Sequence, residues 1–200
     1  MAELDELLEY MGEGEVVYVL LPSRRYRQSL APILKNLANK YAKIGVTLFN
    51  TPTNKALNLL TAQEEVEEKG LFTETKSKEG FSREEVADRF FFIDCVSSGL
   101  KKPQQTRCIH LSPQTGLMGM CGELIKLVSE KKCEVILIDS PINLLEYHDR
   151  MEVVRFIHDL TTQLIEANLP CLFIYPTEGF AREIEKDVEM FADKIIETKK

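Results

Sequence analysis

Cys133–Pro176 reads CEVILIDSPINLLEYHDRMEVVRFIHDLTTQLIEANLPCLFIYP. Its first apolar run, EVILID (134–139), shows no alternation of polar and apolar residues, the pattern of a strand buried on both faces. Residues 148–169 then place Val154, Ile157, Leu160 and Leu164 at helical spacing, facing inward. A second apolar run, PCLFIYP (170–176), follows between prolines. Strand, long helix, strand is the repeating unit of a parallel sheet, because parallel neighbours need a long crossover between them.

The alternation extends outward in both directions. EVVYVLL (15–21) reads as a buried strand, and residues 29–43 as a helix whose stripe is Leu30, Ile33, Leu34, Leu37 and Tyr41. Pro32 fits that helix near its first turn, where a missing N–H does no harm. VTLF (46–49) is a second strand, and NTPTNKALNLL turns into a helix running towards Gly70. RFFFIDC (89–95) is a strand, 97–106 a polar loop, RCIHLS (107–112) a short strand and 116–130 a helix. EGFAREIEKDVEMFA (178–192) reads as a helix and DKIIET (193–198) as the last strand. The expectation is one α/β domain over 1–200: three layers, with a mostly parallel central sheet flanked by helices. Within it, 1–13 contains a short amphipathic helix ended by Gly12 and Gly14, and 63–89 is a charged, mobile stretch. Ser82, with Glu85 three residues on, caps a short helix inside that stretch.

Composition narrows the function classes. A formal charge of −7 argues against a broad nucleic-acid face, which rests on clustered Lys and Arg. No run approaches the ~20 apolar residues of a membrane span, and MAELDELLEYMGEGE lacks the basic start and apolar centre of a signal peptide. A cytoplasmic protein is expected. Cys95, Cys108, Cys121, Cys133 and Cys171 form no C-x-x-C pair and read as reduced, small core residues without zinc spacing. His148 and His158 are ten residues apart, not at helical ligand spacing, and His110 stands alone.

In parallel sheets, ligands sit beyond the carboxyl ends of the strands. Four such ends are Pro22–Ser29, Asn50–Thr53, Asp94–Ser98 and Asp139–Ser140. The first lies in LLPSRRYRQSL (20–30), where a phosphate-binding turn would carry glycines. Set without a gap on G-x-x-x-x-G-K-[ST], Pro22 and Arg27 take the glycine positions, Gln28 the lysine and Ser29 the hydroxyl position. Only the last matches. Pro22 has no N–H to give a phosphate, and Gln28 brings no charge. Arg24, Arg25 and Arg27 read equally as solvated surface charges or as an anion-capturing fork beside a helix start. Tyr26 between them stacks on a base or covers the core edge.

The ordered set of CEVILIDSPINLLEYHDR…PCLFIYP, FFFIDCVSS and the closing MFADKII resembles the RecA-superfamily ATPase domains of the KaiC type. It is most similar to an archaeal branch with a degenerate phosphate loop. The resemblance covers about residues 14–197 and implies a RecA-like P-loop NTPase fold. It matches Asp139 to the Walker B aspartate and Ser29 to the magnesium-bound hydroxyl. Paired glutamates that activate water in such ATPases correspond to Asn50-Thr51, so the general base is missing too. The residues themselves make Asp139 a strand-end acid bonded to backbone N–H groups, ahead of a retained magnesium ligand.

The expected function is a non-hydrolysing RecA/KaiC-like regulatory or protein-interaction module. It would bind ATP, ADP or another anion weakly, if at all, through Ser23, Arg24, Arg25, Arg27, Gln28, Ser29, Asp139 and Ser140, with no metal assigned. The alternative is an active NTPase or phosphotransferase whose arginines replace the lysine. A protein partner or homologous subunit, including a homo-oligomer, is the implied company.

Overall fold

The computed structural model describes residues 11–61, 81–97, 107–178 and 185–198. The expected helix in 1–13, residues 63–80 of the charged stretch, the loop over 98–106 and the segment 179–184 lie outside or largely outside those residues. The described residues form seven strands and the helices that connect most of them: β1 (Val16–Leu21), α1 (Tyr26–Lys40), β2 (Ile44–Leu48), α2 (Thr53–Thr61), α3 (Arg83–Arg89), β3 (Phe90–Asp94) and β4 (Cys108–His110). Then come α4 (Leu117–Lys131), β5 (Val135–Asp139), α5 (Arg150–Glu166), β6 (Cys171–Pro176), α6 (Glu185–Val188) and β7 (Lys194–Glu197). All strands join one sheet in the order β4-β3-β2-β5-β6-β1-β7. Every pairing is parallel, so the sheet is parallel throughout.

Strand alternation sends side chains to two cores. Val17, Val19, Leu21, Ile44, Val46, Leu48, Leu137 and Ile174 pack with α1, α2 and α3 on one face. Val16, Tyr18, Ile136, Ile138, Phe173 and Tyr175 pack with α4 and α5 on the other, where Val188 of α6 joins them. Helices on both faces explain why the central strands carry no polar alternation. The three-layer α/β arrangement is the one the strand and helix spacing implies.

Two local readings change. Helix α1 starts at Tyr26, not 29, so Pro32 sits in its second turn. The carbonyl that loses a partner to Pro32 belongs to Gln28, whose residue is exposed, so water can satisfy it. In α5 the inward positions are Val153, Phe156, Ile157, Leu160, Thr161 and Leu164, whereas Val154 is half-buried. Asp149 and Glu152 close a reciprocal capping box on α5, and Ser82 with Glu85 does the same for α3, which fixes where both helices begin.

The helices also define a crevice. The chain leaves β2 for α2 on one face of the sheet, and leaves the adjacent β5 for α5 on the other. Neighbouring strands whose connections part in this way open the sheet at their carboxyl ends. Asp94 and Asp139 both lie there, each in register with Leu48 on the strand between them.

Candidate functional site

The turn after β1 is short. Pro22 leaves the strand at φ −58° and ψ 127°, Ser23–Arg25 make a single 3-10 turn, and α1 begins at once. Tyr26 therefore stands one turn ahead of Leu30 on the stripe that continues through Leu34. It is drawn into the core and is 5% exposed. Its hydroxyl donates to Asp139 Oδ1 and lies 3.5 Å from the carbonyl oxygen of Ile174. Burial, and then the adjacent Asp139 charge, hold the phenol well above its usual range.

Asp139 ends β5 and is fully buried. Its second oxygen, Oδ2, accepts the backbone N–H of Thr51 at 3.0 Å. Both of these partners are neutral. Burial pushes the carboxyl up to about 6, against the hydrogen bonds from Tyr26 and Thr51 that pull it down. The next residue, Ser140, turns into the left-handed region at φ 57° and donates its N–H to Ile174 at 2.8 Å. The Asn143 side chain donates to the Phe49 carbonyl at 3.1 Å, tying that turn to the end of β2. A cavity of about 220 Å³ opens nearby, walled by Asn50, Cys95, Asn143 and Tyr147 but not by Asp139.

Thr51 occupies the position where the resemblance expects a catalytic glutamate pair. What it supplies is a backbone donor. Two residues on, Thr53 donates its N–H to Asp94 Oδ2 at 2.9 Å, while Asp94 Oδ1 accepts the N–H groups of Val96 (2.9 Å) and Ser97 (2.7 Å). Alternate residues of a single turn thus cap two buried carboxylates. Burial works to raise Asp94, yet the N–H groups of Thr53 and Ser97 outweigh it and hold its carboxyl below the ordinary value. Asp94 is held as an anion, and Asp139 is held as a weak acid.

Of the residues singled out from sequence, Ser23 is bound at the turn, but to the chain itself. Its backbone N–H and hydroxyl both donate to Glu178 Oε2, the N–H at 3.1 Å. Arg24, Arg25, Arg27 and Gln28 are exposed, Ser29 is half-buried and Ser140 is buried. The structure thus joins the turn to Asp139 through Tyr26. Sequence reasoning missed that role, although the helical stripe, extended one turn back from Leu30, marks Tyr26 as inward.

His148 is half-buried, with Nε2 2.8 Å from the Pro113 carbonyl oxygen, and His158 pairs with the neighbouring Asp159 at 3.2 Å. His110 is not alone in space: its Nδ1 lies 4.0 Å from Asp94 Oδ2. Four of the five cysteines are buried and Cys108 is half-buried. Among the described residues no helix is long and apolar enough to cross a membrane. No known family model matches the chain, and no curated protein matches it in sequence.

Proposed function

We propose that this chain is a RecA/KaiC-like domain that has given up nucleotide hydrolysis and works as a regulatory or protein-interaction module. The observation that carries this is the Tyr26 hydroxyl seated on Asp139. A phosphate–magnesium site of this fold needs the turn after the first strand and the acid at the end of the other strand to meet in space. They do meet, which supports the kinship. The meeting point is filled by a phenol that would have to leave before a metal or phosphate could enter.

Two further features support loss of hydrolysis. The turn's Ser23 N–H and hydroxyl are taken by the carboxylate of Glu178, so the anion held there is internal. The arginines, which would have to replace the missing lysine, are exposed while Asp139 is sealed beneath Tyr26. Mechanism is argued from site residues and not from fold. The interaction half of the reading is supported on the opposite face of the sheet. There, a groove of about 710 Å³ runs between α4 and α5, with Met118 84% exposed on its wall.

The test is phosphate release from ATP with magnesium, comparing the native chain with Asp139→Ala. Equal, background-level release is expected. Magnesium-dependent turnover that Asp139→Ala abolishes would overturn the proposal and restore an active NTPase.

A further inference from the structure

The edge of the sheet carries a donor set that the Tyr26–Asp139 site does not use. Cys108 and His110 are two residues apart on β4, so strand geometry puts both side chains on one face. Parallel pairing sets His110 opposite Asp94 on β3. One ligand atom from each of Asp94, Cys108 and His110 lies within 4.8 Å of the other two. Asp94 is 1% exposed, Cys108 half-buried and His110 exposed, so the cluster is anchored inside and open outside.

A nucleophile–base–acid triad would use opposite nitrogens of the imidazole, one for the thiol and one for the carboxylate. Here the His110 Nδ1 stands 4.0 Å from Asp94 Oδ2, beyond hydrogen-bond distance, so the base–acid bond of a triad is not made. Thr53 supports two of the three: its N–H donates to Asp94 Oδ2 at 2.9 Å, and its hydroxyl lies 3.4 Å from Cys108 Sγ. Buried outer partners of this kind orient ligands in metal sites. Asp94 Oδ2 keeps acceptor capacity beyond that one N–H.

We infer that Asp94, Cys108 and His110 form a divalent transition-metal site suited to zinc. The donor chemistry selects the ion. A thiolate, an imidazole and a carboxylate suit zinc or cobalt, whereas magnesium and calcium ask for oxygen ligands throughout. Tetrahedral ligands at bond lengths of about 2.0–2.3 Å stand about 3.3–3.6 Å apart. The three atoms, now within 4.8 Å of one another, therefore need to close by roughly 1.5 Å at most, within the reach of Cys108 and His110 side-chain rotation at an edge strand. Three protein ligands leave a fourth position for water or a small ligand. The exposed His110 leaves the set open to an ion from solvent.

The test uses the full chain, stripped of metal and titrated with zinc by calorimetry and with cobalt by absorption. One metal per chain is expected, with a thiolate-to-cobalt charge-transfer band. Cys108→Ser should remove the band with unchanged circular dichroism, and His110→Ala should weaken zinc binding by at least about tenfold. Cys95→Ser, whose thiol packs in the other core, should keep both. Absence of saturable binding, or a band and affinity that survive Cys108→Ser and His110→Ala, would overturn the inference. Binding at this donor set does not depend on what Tyr26 does.

Discussion

The hydroxyl of Tyr26 and the carboxyl of Asp139 make a buried contact whose energetics depend on pH. Asp139 titrates at about 6 in the folded chain, above the ~3.9 of a free aspartate. Folding therefore tightens its hold on the proton. Its contribution to stability is full below about pH 4, falls as pH rises through 6, and is flat above, a loss of about 3 kcal/mol in all. Asp139→Asn removes the charge and still fits, since the amide N–H can donate to the Tyr26 oxygen and the amide oxygen can accept from Thr51. Urea unfolding is expected to show the variant gaining on the native chain between about pH 4 and pH 8 by up to that amount. A deficit constant across the range would contradict the assignment. Local sequence could mark Tyr26 as inward but could not name its partner, because Asp139 lies 113 positions away. The same limit hid the edge cluster: from sequence Cys108 reads as a core residue and His110 as standing alone, and Asp94 joins them only through register.

At the scale of elements, most strands begin and end within a residue or two of the apolar runs that imply them. Apolar periodicity carries that information directly. Helix starts are less legible. The α1 start moved because a 3-10 turn, which has no strong sequence mark, brings the chain into the helix three residues early. Asn50–Thr53 reads only as a turn, yet its alternate N–H groups cap both strand-end acids. One glycine is set by the sheet itself. Gly45 of β2 stands in register with Ile136 of β5, and a methyl placed there would lie 2.3 Å from Ile136 Cδ1. Gly45→Ala is expected to cost about 1–3 kcal/mol in chemical denaturation. Ile136→Val removes the offending carbon, so the double variant should recover at least about 0.5 kcal/mol of the summed losses. Strict additivity would show that the contact is not what excludes a side chain.

Across the whole molecule, the seven described strands run parallel and bring their carboxyl ends to one side of the sheet. The turn after β1 is closed on Glu178 and Tyr26, the acid of β5 is sealed, and the acid of β3 faces an edge cluster open to solvent. The architecture was legible because alternating strands and helices leave few arrangements. The closure of the site was not, because it depends on side chains that meet only once the sheet is built. The most direct measurement is calorimetric titration of the native chain with magnesium and ATP at millimolar concentration. With Tyr26 on Asp139, no saturable heat is expected. One-to-one binding that disappears in Asp139→Ala would show that the site opens to nucleotide, and would contradict the closed-site reading.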